Sequence, residues 1–443
     1  MIDRFSKSEE LLNRANQLIP GGSHTYSKGA DQSPKLGPKF ISRGKGSHVW
    51  DVDGNEYLDW AMGLASVSLG HAYEPVLEAV RRELKNGSNF QCPSPIEVEL
   101  ADLFMEVVPS AQMVKYAKNG STVTTAAVKL SRAHTGRKYV AVCADHGFFS
   151  YDDWYIGLKP NNSGVPKEVS DLTLSFRYND IESLKSLFDK YPDQIACVIL
   201  EPMEMDFPEN GFLQQIKSLC QKNGSVFILD EMITGFRLDY PGAHRMLDVE
   251  PDLCTWGKGL ANGFSTCILS GKKEIMELGG ILHDRERVFL MSTTHGAETH
   301  SLAAAMESIR SHRRENSIER NTQTGLFLKN QIEAIVRDFG LEDFVTVKGH
   351  PTWQALVLRD EKKCPSDGYR TLVMQETAKQ GVLFRGSFVP TISHTQEDLD
   401  KTIDAFKNVF DVYTRALNDP LSYRKFLVGD PVKPVFRKWN RES

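Results

Sequence analysis

The stretch 226–263 constrains this chain most. It reads V-F-I-L-D-E-M-I-T-G-F-R, then a loop and a short helix, then P-D-L-C-T-W-G-K-G-L-A-N-G. The apolar, β-branched run 226–229 predicts a strand buried on both faces, as in a parallel sheet. That run ends in two carboxylates, Asp230 and Glu231. About one strand-helix-strand step later, Lys258 stands between two glycines. Open parallel sheets bind ligands beyond the carboxyl ends of their strands, which is where Asp230 falls.

The rest of the chain agrees with such a sheet. A helix is expected over 8–18, ended by Pro20-Gly21-Gly22, then an irregular arm S-H-T-Y-S-K-G-A-D-Q-S-P. Short strands follow, with D-V-D-G-N-E as a hairpin turn. After Gly70-His71 comes a helix over 75–84. From residue 95 the pattern alternates: helix 95–108, strand V-K-Y-A, and a long helix opening at Asn119-Gly120-Ser121. Strand 139–143, a polar excursion over 145–170, helix 180–190, strand 195–200 and helix 211–222 lead to strand 226–229. This is the α/β class, with a mostly parallel central sheet and helices on both faces. Past Gly296 a helical region leads to strands near 344–347 and 353–358 and helices over 367–379 and 396–416, a smaller α+β domain. The expected division is 1–70 (arm and short strands, joining the small domain), 71–320 (large domain) and 321–443 (small domain). A surface tail runs from Asp419.

Composition narrows the class further. With 443 residues, 40% hydrophobic and 25% charged, the chain can bury a large core in two or more domains. A net charge of −5 points to neither nucleic acid nor an anionic membrane as partner. The first residues, M-I-D-R-F-S-K-S-E-E-L-L, are mixed in charge and lack an apolar leader core. No apolar run approaches the ~20 residues that span a bilayer. Seven scattered cysteines without a C-x-x-C pair argue against both a disulfide framework and a metal site. They are expected to be reduced, in a cytoplasmic protein.

An acid at a strand end and a lysine in a glycine turn suit pyridoxal phosphate (PLP). The lysine forms a Schiff base, and the acid keeps the pyridine nitrogen protonated. Either piece alone is more often a solvated strand end or a plain turn. Lys118-Asn119-Gly120-Ser121 opens a helix whose free N–H groups can hold a phosphate, although taken alone a simple Ser cap is the better reading. Ser292-Thr293-Thr294-His295-Gly296 offers a second set of hydroxyls, or another cap. Glu201 follows strand 195–200 and reads about equally well as a solvated strand end. Asp145-His146-Gly147-Phe148-Phe149 follows strand 139–143, with aromatics for the ligand edge or for the core. The convergence of all these on one side of the sheet, in order, carries the reading.

The motifs V-W-D-V-D-G-N-E-Y-L-D, L-G-H, K-N-G-S-T-V-T-T-A-A-V-K-L-S-R-A-H-T-G-R, L-E-P-M, D-E-M-I-T-G-F-R and P-D-L-C-T-W-G-K-G make the chain resemble the fold-type I, class III PLP-dependent aminotransferases. The resemblance runs from Gly21 to about Phe410 and is strongest to the branch with glutamate-1-semialdehyde 2,1-aminomutase. It implies Lys258 as the Schiff-base lysine and Asp230 as the partner of the pyridine nitrogen. Gly120 and Ser121, beside Asn119, would bind the phosphate, and Glu201 would support the hydrogen bonds around the cofactor. Thr294 would reach the cofactor of a neighbouring subunit, in a homodimer with shared sites. The departures are Asp145 in place of a stacking aromatic, leaving Phe148, Phe149 or His146 for that role, and Met232 where a small or β-branched residue packs the other ring face. Lys28 replaces the aminomutase's arm arginine, and Leu64 replaces an aromatic wall. Lysine lacks the bidentate fork of arginine.

The function expected is amino transfer from a donor such as glutamate to a polar carbonyl acceptor, for example a keto-sugar. Ser23, His24, Thr25, Tyr26 and Ser27 of the arm supply polar groups, with His146, Tyr151, Asp152, Asp153 and Arg385. Lys28, Tyr26 and Arg385 are the candidate substrate-binding residues. The alternatives are the aminomutase's intramolecular amino shift, with 145–170 as a lid, a short acidic or diamine substrate, and a non-catalytic PLP-fold subunit. Retention of Lys258, Asp230 and the phosphate cradle argues against the last.

Overall fold

Strands form where the apolar runs predict them, and several short ones form as well. The computed structural model describes residues 2–440. In chain order the strands are β1 (Ile41–Lys45), β2 (His48–Asp51), β3 (Glu56–Asp59), β4 (Met113–Ala117), β5 (Tyr139–Cys143), β6 (Thr173–Phe176) and β7 (Ile195–Leu200). Then come β8 (Val226–Glu231), β9 (Leu253–Trp256), β10 (Cys267–Gly271), β11 (Val345–His350), β12 (Trp353–Leu358), β13 (Val382–Leu383) and β14 (Ser387–Phe388). The chain divides into two compact units. One takes residues 2–65, 69–73 and 319–435; the other takes 66–68, 74–318 and 436–440.

The larger unit is built on a seven-stranded sheet in the order β4-β10-β9-β8-β7-β5-β6. Pairs from β9 through β6 are parallel, and β10 runs against both its neighbours. Every residue of β7 and β8 is buried, which is why their sequences lack polar alternation. Strand β8 runs two residues past its apolar run, so Asp230 and Glu231 are its last members, opposite Thr255 and Trp256. The helix Gly120–Thr135 places Val123, Ala126, Ala127 and Leu130 in one core with Val140, Ile199, Ile228 and Leu269. Asn119 caps that helix by accepting from the Thr122 N–H at 3.0 Å, and left-handed Gly136 ends it. Strands β6, β10, β13 and β14 are absent from the sequence expectation; the last two are only two residues long. T-L-S-F is too short to show a period, and C-I-L-S-G follows a glycine-bearing loop that obscures its start. The excursion over 145–170 also holds two short helices, Asp153–Ile156 and Lys167–Ser170.

The smaller unit has two sheets, β1-β2-β3-β13 and β11-β12-β14, with the helices Asp367–Lys379 and Gln396–Leu417. Its core gathers Trp60, Phe384, Phe388, Phe406 and Tyr413. The D-V-D-G-N-E turn closes on Asp51, whose carboxylate accepts the N–H groups of Asp53 and Asn55 at 3.0 and 2.8 Å. The tail lies against this unit, where the Val432 N–H donates to Thr371 at 2.9 Å. Its last segment belongs to the larger unit, where Phe436 stacks on Phe148. Among the described residues, no helix is long and apolar enough to cross a membrane.

Candidate active site

Two turns at the carboxyl ends of β8 and β9 carry Asp230 and Lys258. Asp230 is 2% exposed. Its Oδ1 accepts the Met232 N–H and the Thr255 hydroxyl, both at 2.9 Å. Both bonds fall on one oxygen, which leaves Oδ2 as an acceptor for a further donor. Burial raises the Asp230 pKa to about 6, against those hydrogen bonds and the charge of Lys258, which favour the carboxylate. Glu231 is entirely buried and serves differently. It accepts the N–H groups of Ala243 and His244 and the Thr234 hydroxyl, fastening the loop after β8.

Lys258 follows β9 with φ of 43°, a left-handed conformation that costs a non-glycine residue about 1–3 kcal/mol. Burial lowers its pKa; Glu201 and Asp230 oppose that, and Arg237 reinforces it. The lysine therefore deprotonates more readily than an exposed one. The turn is braced from behind. Ser68 donates to the Gly259 carbonyl at 2.8 Å, and Asn262 accepts the Ser68 N–H at 2.9 Å.

The N-terminus of the helix Gly120–Thr135 forms the third corner. Ser121 is buried, and its Oγ accepts the Tyr151 N–H at 3.1 Å. Met232 packs over this corner. A Cβ added to Gly120 would lie 3.2–3.4 Å from the Met232 side chain, and one added to Gly257 would meet its sulfur at 2.3 Å. Both glycines are bare because Met232 fills the space beside them. Asn119 engages its own helix cap, its Oδ1 accepting the Thr122 N–H and hydroxyl at 3.0 and 3.1 Å.

Beyond β7 lie Glu201 and His146, each 3% exposed. The Glu201 N–H donates to His146 Nδ1 at 3.1 Å, so the ring proton sits on Nε2. Burial lowers the His146 pKa to about 4, which keeps the ring neutral. Burial raises the Glu201 pKa well above the ordinary value, helped by Glu204 and Asp230. His146 Nε2 and Glu201 Oε2 are buried without hydrogen-bond partners in the chain. Buried polar groups are rarely left so, and a bound group or a water would satisfy both atoms. Asp145 turns elsewhere: it accepts the Tyr178 N–H at 2.8 Å and pairs with Arg177 at 3.5 Å. Phe149 is part of the core, while exposed Phe148 stacks on Phe436.

Thr294 is exposed, and its carbonyl accepts from Asn89 at 3.0 Å. Nearby, Glu298 pairs with Lys118 and with His295. Lys28, Tyr26 and Arg385 lie in the smaller unit. Lys28 and Arg385 line a cavity of about 410 Å³ there, and Tyr26 is exposed. Arg385 donates to the carbonyls of Ser27 and Gln32 at 3.1 and 2.9 Å, so it pins the arm as well as charging the cavity. Sequence reading missed Lys39 in the same lining; it donates to the Ser33 and Pro34 carbonyls, and burial lowers its pKa to about 8. It also missed Arg237 and His312 behind the Lys258 turn. The F-R pair after T-G hinted at the first; nothing local marks the second.

A largely parallel sheet with a buried acid at one strand end, a strained lysine at the next and a glycine-led helix N-terminus beside them defines a fold-type I PLP-dependent enzyme. Residues 29–410 match the aminotransferase class-III pattern, and the chain belongs to that family. It is 30% identical over 434 residues to glutamate-1-semialdehyde 2,1-aminomutase of Sulfurihydrogenibium azorense, spanning 92% of this chain and 99% of that one. Among solved structures it is similar to the FumI protein of Sphingopyxis sp. MTA144 in a PLP form (24% identity, TM-score 0.85, 95% and 99% of the two chains). It is also similar to an omega-transaminase from Sphaerobacter thermophilus (25% identity, TM-score 0.83, 92% and 97%). The chain is a PLP-dependent transaminase or aminomutase, and its residues fit that cofactor. Asp230 keeps an oxygen for a ring nitrogen, the helix N-terminus at Gly120 offers N–H groups to a phosphate, and Glu201 and His146 each present an orphaned polar atom.

Proposed function

We propose that the chain moves an amino group within a small carboxylated amino-carbonyl compound, as in the 1,2 shift that converts glutamate-1-semialdehyde to 5-aminolevulinate. The observation that carries this is the charge of the cavity in the smaller unit. Lys28, Lys39 and Arg385 line it, against the single carboxylate of Asp59, which lies 2.8 Å from His71 Nε2. A carboxylate gains from such a wall, and a neutral keto-sugar does not. The likeness to a named aminomutase over nearly its whole length supports the same choice. That ranks the amino shift above transfer to a keto-sugar.

Bound PLP supplies an electron sink for the carbon that carries the amino group. Lys258 would hold it covalently, with Asp230 Oδ2 accepting from the protonated ring nitrogen. The N–H groups of Gly120 and Ser121 would take the phosphate at the end capped by Asn119. Met232 would cover one ring face, with Glu201 and His146 completing the hydrogen bonds at the ring edge. With PLP bound, Lys258 Nζ would be the base that takes a proton from the substrate carbon bearing the amino group and the acid that returns it. The lowered pKa of Lys258 suits that task. Lys28, Tyr26 and Arg385 would orient the substrate carboxylate. Thr294 of one copy would reach the phosphate held by another, in a cytoplasmic homodimer.

A second reading is transfer from glutamate to an external keto-sugar. Lys28 favours it, because an ammonium grips a carboxylate less specifically than a guanidinium. The test supplies PLP-loaded protein with glutamate-1-semialdehyde and no other amine. Formation of 5-aminolevulinate is the expected result. If none forms, while glutamate converts the bound cofactor to its amine form and a keto-sugar restores it, the proposal fails and the second reading replaces it.

A further inference from the structure

Behind the Lys258 turn lies a buried polar chain that the chemistry above does not use. Ser68, Ser308, His312 and Ser317 are each at most 2% exposed. Ser68 Oγ donates to the Gly259 carbonyl at 2.8 Å and lies 3.1 Å from His312 Nε2. His312 Nδ1 lies 2.5 Å from Ser317 Oγ. Because the Ser68 proton points to Gly259, Ser68 must accept from His312 Nε2–H. Nδ1 is then left to accept from Ser317. The protons of the chain therefore all point one way, from Ser317 through His312 and Ser68 to Gly259. Ser308, one helical turn before His312 on Thr299–Arg314, adds a longer bond of 3.3 Å to the same carbonyl.

Burial, with Arg237 nearby, lowers the His312 pKa to about 3 against a contact of the ring with the Gly259 carbonyl, so the ring stays neutral and the direction of the chain does not reverse at working pH. Its terminus matters because Gly259 directly follows Lys258, whose left-handed backbone persists only if its surroundings over-determine it. A carbonyl held at that point fixes the turn on the side away from the reacting amine.

We propose that His312 is a positioning residue: acting through Ser68, it locks the Gly259 carbonyl and so holds Lys258 where its amine meets the cofactor. This holds whichever substrate the enzyme takes, so failure of the aminomutase reading leaves it standing.

The test uses full-length, PLP-loaded Ser68→Ala, His312→Leu, the double variant and His312→Gln. Loss of one directed hydrogen bond is expected to lower kcat about tenfold, with KM nearly unchanged. The double variant should be no worse than either single one, because the two residues act in series. His312→Gln should recover most of the rate, since its amide can donate from near the position of Nε2. A second readout needs no turnover. In the cofactor-free protein, amide hydrogen exchange at Leu260, whose N–H bonds to the Gly257 carbonyl at 3.0 Å, should speed up in Ser68→Ala and His312→Leu. Wild-type kcat and exchange in both, or losses that multiply in the double variant, would overturn the proposal. If His312→Leu does not fold, Ser68→Ala and His312→Gln decide it by the same two measurements.

Discussion

Replacing Asp230 with asparagine should make the cofactor-free protein more stable and the loaded enzyme nearly inert. Asp230 is 2% exposed, and burial raises its pKa from 3.8 to about 6. A carboxyl with a higher pKa folded than unfolded binds its proton more tightly in the folded chain. Folding stability is therefore full below about pH 4, falls as pH rises through the folded value near 6, and stays lowered above it. At about 1.4 kcal/mol per tenfold change in proton affinity, the ionised residue costs up to about 3 kcal/mol at pH 8. Asparagine never ionises, and its oxygen can still accept from Met232 and Thr255. The D230N protein without PLP should therefore unfold several degrees higher than wild type at pH 8. That lead should vanish near pH 4. With PLP added the order should change, because the wild type gains the ring-nitrogen contact and the variant does not. Loss of that charge-assisted bond should lower kcat at least about a hundredfold. Thermal unfolding at both pH values, with and without PLP, measures the first part; single-turnover absorbance measures the second. A cofactor-free variant no more stable than wild type at pH 8, or a lead that does not depend on pH, refutes the reasoning.

Lys258→Ala should abolish the visible absorption band of the PLP-loaded protein and its turnover; a retained band would move the attachment to another lysine. Gly257→Ala should destabilise the larger unit by about 1–3 kcal/mol, because its Cβ would press on the Met232 and Cys267 sulfurs at 2.3 and 2.6 Å. Adding Met232→Ala should recover part of that in a urea titration, and no recovery would mean that Met232 is not what crowds the site. Lys28→Arg should lower KM for a carboxylated substrate several-fold by restoring a bidentate contact, whereas an unchanged KM places the carboxylate elsewhere. Arg385→Ala frees the Ser27 and Gln32 carbonyls, so it should raise KM and speed proteolysis of the arm; a change in KM alone would confine Arg385 to the substrate.

How much could be read in advance depended on the range of each signal. The apolar run of β8 and the carboxylate at its end were legible because a strand buried on both faces needs unbroken apolar residues. A capped helix start at Asn119-Gly120-Ser121 was legible for the same local reason, although the structure gives the cap to Asn119 and not to the serine. Short β6 and β10 were not, since four or five residues carry too little pattern. Asp145 was read only as a missing aromatic. The structure turns it toward Tyr178 and Arg177, and the phenylalanines beside it divide between core and surface. Arg385 was legible as a charge but not as the anchor of the arm, because its partners lie more than 350 residues away in the chain.

By itself the sequence determined the α/β class and the cofactor. Those follow from periodicity, caps and side-chain chemistry, which act within a few residues. Only the tertiary structure decided that Asp230 is held by Thr255, that Glu231 fastens a loop instead of meeting a ligand, and that Lys258 is left-handed. It alone put His312 behind that lysine through Ser68, 244 residues earlier in the chain. Burial, proton affinity and backbone strain belong to neighbours in space, which the packed fold supplies and no local pattern of residues encodes.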